Sequence, residues 1–191
     1  MFKITTVVVA AAAAVSLAAC SPPSEKESTQ KPVVSASVAP AAFNDADVMF
    51  LQMMYPHHAQ AVDMAKLVPT RSQNQQVKDL AAAIENAQAP EMAQMTTLLA
   101  SFGKPAPSAT MGHAMPGLMP AAQMKTLEGL SGAAFDTMWL QMMVEHHQGA
   151  ITMAQDELRD GTNADVKKMA QAIITAQQGE IATMNGMLAA R

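Results

Sequence analysis

The chain has 191 residues, half of them hydrophobic and 15% charged, with 18 methionines and one cysteine. That length is enough for one domain with a proper core. A net charge of −4 argues against electrostatic binding of nucleic acid, and a lone cysteine allows no internal disulfide.

The first 20 residues read as a lipoprotein signal peptide. Lys3 gives a positive start, an apolar run follows over 4–15, and Leu17-Ala18-Ala19-Cys20 closes the segment. This ending resembles the bacterial lipobox, in which the cysteine is lipidated and becomes residue one, so Cys20 is the expected lipidation site. The alternative is an ordinary signal cleaved near Ala19. A membrane-spanning anchor is disfavoured, because the run is shorter than the ~20 residues a spanning helix needs. The mature protein is expected in the bacterial cell envelope, lipid-anchored and facing the periplasm. Ser21 after the cysteine favours the outer membrane over the inner. Losing Lys3 takes the net charge from −4 to −5. Residues 21–43 are rich in Ser, Pro and Ala without a helical period and read as a flexible tether.

Residues 44–191 read as a duplicated four-helix bundle. Asn44, Asp45 and Asp47 can cap and charge a first helix, which is expected to run to about Val68 and stop at Pro69. A second helix is predicted from about 74 to 101, stopped by Gly103 and Pro105. Residues 104–130 form a long Met-rich connector, with a short helix over 121–129 that places Pro120 at its first position. A third long helix starts near Ser131–Ala133 and ends before Gly161. Thr162 or Asn163 caps a fourth, which runs to the C-terminus. Ala, Leu, Met, Gln and Glu dominate all four, and these are good helix formers. Two antiparallel hairpins, 44–103 and 131–191, follow as the natural architecture. The connector is long enough for a ferritin-like crossover as well as for a simple up-down bundle. Pro56 and Pro90 fall inside predicted helices, where each removes a backbone hydrogen bond. Glu145 and Gly179 stand at the equivalent positions of the other hairpin.

The two hairpins are copies. DVMFLQMMYPHHAQAVDMA, residues 47–65, matches DTMWLQMMVEHHQGAITMA, residues 136–154, with a constant offset of 89 positions. The offset continues downstream, pairing Ile84, Glu91 and Met95 with Ile173, Glu180 and Met184. A gapless duplication is the simplest account. At 100° per residue, His57 and Met64 fall within about 40° of Met53, and His146 and Met153 stand likewise to Met142. Met54 and His58, like Met143 and His147, lie about 100° to one side. One histidine of each pair can therefore face the bundle axis while its neighbour faces the groove beside another helix. A single helix cannot aim both rings at one ion, so any site recruits ligands from elsewhere.

Methionine at helical spacing is usually core filler, and an inward histidine is usually a satisfied core residue. The joint recurrence of His and Met in both copies points beyond filler. So does the connector run Met111-Gly112-His113-Ala114-Met115 with Met119, placed in a loop where no core is expected to need filling. Thioethers suit Cu(I), and imidazole serves both copper states. A di-iron bundle would need Glu-x-x-His pairs, a spacing absent here. Glu91 and Glu180 are candidate ligands or supporting partners. By helical rise Glu91 stands about 10 Å from the level of His57 in its own hairpin, and it could reach a histidine of the opposite hairpin only if the two hairpins are inverted and shifted.

The pattern MM-x-x-HH-x-x-A-x-x-MA at 53–65 and 142–154 resembles the signature of the bacterial family known as domain of unknown function 305. The runs Ile84–Met95 and Ile173–Met184, the Met115–Met119 segment and Gly132–Asp136 share that resemblance. It covers about residues 44–190. It implies a ferritin-like fold and a function like that of the CopM-like periplasmic copper-binding proteins in the family. It also makes His57, His58, His146 and His147, with Met53, Met54, Met64, Met142, Met143 and Met153, candidate copper ligands. Pro56 departs from the usual pattern. The expectation is a non-enzymatic, lipid-anchored protein that sequesters or delivers copper, Cu(I) in preference to Cu(II), with a metal-donor or metal-acceptor protein as a possible partner. The rival readings are a ferritin-like oxidase acting on Cu(I) and a structural adaptor whose methionines are only core.

Overall fold

The computed structural model describes residues 42–108 and 115–190. The signal segment, Cys20 and nearly all of the tether lie outside the described residues, as do Met111 and His113. Among the described residues all regular structure is helical: α1 (Asp45–Arg71), α2 (Gln75–Ser101), α3 (Ala121–Glu128), α4 (Gly132–Asp160) and α5 (Ala164–Ala189). None of these helices is long and apolar enough to cross a membrane.

Side-chain caps set the helix starts. Asn44 accepts from the Asp47 backbone N–H at 3.1 Å while the Asn44 N–H donates to the Asp47 carboxylate at 2.6 Å, a reciprocal capping box. Asn74 caps α2 and Asn163 caps α5 by side-chain acceptance from the first-turn N–H groups, without the reciprocal bond, and these two asparagines are again 89 positions apart. At the end of α2, Gly103 adopts φ +65°. Its N–H reaches the Ala100 carbonyl, and the Lys104 N–H reaches the Leu99 carbonyl. This double bond pattern favours glycine because an L side chain is strained there.

Two expectations fail at prolines. α1 does not stop at Val68 but runs through Pro69 to Arg71. So near the helix end, Pro69 forfeits one hydrogen bond without breaking the last turn. Pro120 caps α3 from outside instead of occupying its first position. Pro56 and Pro90 do lie inside helices, as expected.

The helices pair as α1 with α2 and α4 with α5, and the two hairpins meet chiefly along α1 and α4, with slight contact between α2 and α5. One core cluster joins Val48, Leu51 and Met54 of α1 to Ile151, Met153 and Ala154 of α4. The other joins Ala61, Met64 and Val68 to Phe135, Trp139, Met142 and Met143. The start of each helix thus packs on the end of the other, so α1 and α4 run antiparallel and the copies are inverted. Each duplicated pair is split accordingly: Met54 and Met143, Met153 and Met64, and Met95 and Met184 fall in opposite clusters. The Trp139 indole N–H fixes this contact by donating to the Met64 carbonyl at 3.0 Å.

One end of the α1–α4 interface carries a buried carboxyl pair. Asp47 accepts from the backbone N–H groups of Thr162 and Asn163 at 2.9–3.3 Å, tying the start of α1 to the start of α5. Beside it Glu157 is 2% exposed. Burial, followed by the adjacent Asp47 carboxylate, pushes the Glu157 pKa up to about 8 from 4.5. The folded protein therefore holds a proton that the unfolded chain has released between pH 4.5 and 8, and stability falls as pH rises through that window. Between pH 6.5 and 8 thermal denaturation should show a loss of about 1–2 kcal/mol from this group. Glu157→Gln keeps a neutral side chain and should abolish that slope; an unchanged slope in the variant refutes the assignment.

Candidate metal centre

The midpoints of α1 and α4 cross where the two histidine pairs lie. The His57 and His146 rings touch in a tilted contact, with ring centroids 3.8 Å apart and planes 38° from parallel. Their neighbours turn outward as the helical phase requires. His58 Nε2–H donates to Glu91 of α2 at 2.8 Å, and His147 Nε2–H donates to Glu180 of α5 at 2.7 Å. All four rings are buried. The central imidazoles thus come from both hairpins, and each outer imidazole is held by a carboxylate of its own hairpin.

Glu91 reaches a histidine of its own hairpin, His58, although it stands about two turns from the level of His57. His58 and Glu91 lie nearly equidistant from the turn between α1 and α2, about 4.5 Å apart in level for a three-residue difference. Helical side chains lean toward their own N-terminus. In an antiparallel pair the His58 ring leans away from the turn and the Glu91 chain leans toward it, which closes the gap.

Hydrogen bonding decides which ring nitrogens are left. His57 Nε2 lies 3.0 Å from the Pro116 carbonyl. A carbonyl only accepts, so this nitrogen carries the proton. The Nδ1 atoms of His57, His58 and His147 are then unprotonated in the neutral rings, and each is buried without a hydrogen-bond partner. His146 has no hydrogen bond of ordinary geometry at either nitrogen. Buried polar atoms left unpaired are costly and need an explanation. A ring held through one nitrogen by a carboxylate or carbonyl, with the other nitrogen free, is the usual arrangement of a metal-binding histidine. Imidazole and thioether are the available donors. Among the described residues no three or more His, Cys, Asp or Glu side chains converge as a preformed cage.

The central pair is held neutral. Burial first, then the neighbouring His58, lowers the His57 pKa to about 3, and the Pro116 carbonyl offsets this only in part. His146 is driven well below its ordinary value by burial and by His57 and His147. Both rings keep their lone pairs at a pH where a free histidine is protonated.

Thioethers flank the histidines on both sides. Met54 and Met153 lie in one core cluster with Met53 packed against it, and Met64, Met142 and Met143 lie in the other. Met53 and Met64 share a stripe of α1 yet sit on opposite sides of the histidines. Each end combines methionines of both copies. Met115 and Met119 do not sit in an unpacked loop, as expected: they are 8% and 3% exposed and fill one cluster each.

The segment 115–119 forms a strap across the α1–α4 crossing. Its middle is held by His57 at Pro116, and its far end by Gln60. The Gln60 side chain donates to the Met119 carbonyl at 2.9 Å and accepts from the Met119 N–H at 2.7 Å. Over α4 the strap lies so close that a Cβ at Gly149 would stand 2.0 Å from the Pro116 carbonyl oxygen. A Cβ at Gly117, which adopts φ +73°, would stand 2.7 Å from the Glu145 carbonyl oxygen and 2.9 Å from that of His146. Gln60 and Gly149 are the same position in the two copies. One grips the strap and the other makes room for it. Sequence reasoning missed this pair, although the Gln/Gly difference within otherwise matching motifs was the available signal.

The profile of the family described as domain of unknown function, DUF305, matches residues 47–188. A DUF305 fragment from Deinococcus radiodurans is 35% identical, with a TM-score of 0.72 over 80% of this chain and 100% of that one. A secreted DUF305 protein from Streptomyces coelicolor is 34% identical, with a TM-score of 0.70 over 75% and 92%. CopM in its Cu(II)-bound form is 29% identical, with a TM-score of 0.65 over 74% and 95%, and its Cu(I)-bound form matches similarly at 0.64. No curated protein matches the chain.

Gly149→Ala should displace the strap, since neither backbone can yield to a Cβ there. A loss of about 2 kcal/mol or more is expected in thermal denaturation, with faster hydrogen exchange at the Met119 amide. Wild-type stability in the variant contradicts the strap geometry.

Proposed function

The chain belongs to the DUF305 family, and on that footing we propose that it is a lipid-anchored, extracytoplasmic copper-binding protein that sequesters or hands on copper through methionine and histidine ligands. The observation that carries this reading is the His57–His146 ring contact, with unpaired ring nitrogens and a methionine cluster on either side. CopM, similar over most of its length, has been crystallised with Cu(II), Cu(I) and silver. Imidazole serves both oxidation states of copper and thioether favours Cu(I). His57, His146, His58 and His147 present ring nitrogens, while Glu91 and Glu180 orient the outer rings without needing to touch the ion. Met53, Met54, Met64, Met142, Met143 and Met153 supply sulfur, with Met115 and Met119 adding one thioether to each end. The mechanism is ligand exchange, with no covalent chemistry. The Cys20 anchor and outer-membrane placement belong to the same proposal, supported by the lipobox-like segment.

Protons compete with copper for imidazole and not for thioether, so acid should weaken Cu(II) binding more than Cu(I) binding. At His57 this competition sets in toward pH 3, well below the free value of 6.5. Titrations against a chelator of known affinity at about pH 7.5, 5 and 3.5 should show the two affinities running parallel down to about pH 5 and diverging only below it, as His57 nears its lowered pKa. Changing His57 and His146 together to Ala should weaken Cu(II) at least tenfold and Cu(I) by less. Undiminished affinity for both ions in a folded variant would sink the ligand assignment.

A further inference from the structure

A cavity of about 270 Å³ opens to solvent at the end of the α1–α4 interface where α1 begins, lined in part by Met49, Phe50, Met53, Pro116, Met153 and Glu157. Three of its ten lining residues carry thioethers. Met49 is 59% exposed, the one large hydrophobic side chain so exposed among the described residues. Folding derives no burial from it, yet it stands one helical turn before Met53 at the mouth of this cavity. Met153 faces the cavity and also belongs to the buried cluster with Met54 and Met115. Pro116 forms part of the wall, and its carbonyl holds His57. The cavity therefore leads from solvent to within one residue of the central imidazole pair.

We infer that Met49, Met53 and Met153 form a solvent-open thioether site that takes up a soft monovalent cation, Cu(I) or Ag(I), ahead of the buried histidines. The inference rests on the copper reading above and adds to it a first stop with sulfur ligands alone, which shares Met53 and Met153 with the buried centre and adds Met49. Three thioethers and no imidazole select a soft monovalent ion over Cu(II) or Zn²⁺. The charge at the mouth permits a cation. Arg159 is the cationic side chain lining it, and its guanidinium is paired with Asp160 at 2.7 Å and Asp156 at 2.9 Å, leaving carboxylate in excess. The duplication marks the site as one-sided. The counterparts Met138, Met142 and Met64 lie against or within the second core cluster, beside Leu127 of α3. Only the first end leaves its outer methionine in water.

The test is a silver titration of the full chain carrying ¹³C-labelled methionine methyl groups, read by NMR. Below one equivalent the methyl signals of Met49, Met53 and Met153 should move first, with the His57 and His146 ring signals following at higher loading. Changing all three methionines to Leu, which nearly conserves volume, should weaken the first equivalent at least tenfold. Met49→Leu alone, at an exposed position that folding does not need, should weaken it severalfold. First-equivalent shifts confined to buried methyls such as Met54 and Met143, or unchanged silver affinity in the Leu variants, overturn the site while the copper reading stands. No shift at any methionine or histidine overturns both.

Discussion

Everything at the centre of this molecule depends on two imidazoles touching where α1 and α4 cross. With centroids 3.8 Å apart, His57 and His146 cannot both carry charge, since even at an effective dielectric of 20 like charges at that separation repel by about 4 kcal/mol. Burial adds to the penalty, so the folded state requires neutral rings. Neutrality leaves lone pairs, and the core around the rings offers almost no hydrogen bond to receive them. The packing that assembles the hairpins and the chemistry that would hold a soft ion are thus one constraint. The fold also loses stability in acid for the same reason. The unfolded chain takes up protons at these histidines below pH 6.5, and the folded chain refuses them at His57 until about pH 3.

Inversion of the copies explains why neither repeat makes a site alone. Because α1 and α4 are antiparallel, each methionine cluster draws its early residues from one copy and its late residues from the other. A twofold arrangement of this kind would give identical ends, yet three positions break it. Gln60 against Gly149 seats the strap. Pro56 against Glu145 gives α1 an interior proline where α4 has none. Glu157 against Val68 places a protonated carboxyl at one end only. The second end is closed by α3, and the first remains open at Met49. Divergence within the duplication therefore converts a symmetric frame into one with an inside, a lid-side and a mouth.

Much of this was legible in the residues. The 89-position offset marked the two copies, Asn44 was read among the caps of the first helix, and the helical phase turned one histidine of each pair to the bundle axis and its neighbour to the groove beside another helix. The reach of Glu91 to His58 was missed because counting rise along an axis ignores the lean of side chains, which brings His58 and Glu91 together across an antiparallel pair. The strap was illegible for another reason. It is held by backbone carbonyls and by the absence of a Cβ at Gly149, and neither writes a periodic pattern. Met115 and Met119 were likewise read as loop residues, because a core that accepts side chains from a connector leaves no mark on hydrophobic periodicity.

Packing alone does not separate a methionine that fills space from one that binds an ion, since Met54, Met64 and Met143 are fully buried and would serve equally well as filler. The distinction comes from their surroundings. A purely structural core does not leave the Nδ1 atoms of four buried histidines unpaired, because each would cost on the order of 1–3 kcal/mol with nothing to offset it. Nor does it commit Glu91 and Glu180 to orienting two of those rings from the outside. A carboxylate that fixes Nε2–H leaves Nδ1 as the free nitrogen, the donor on which the proposed copper site draws. The unsatisfied nitrogens, more than the abundance of thioethers, are what support the proposed metal site at the centre of this fold.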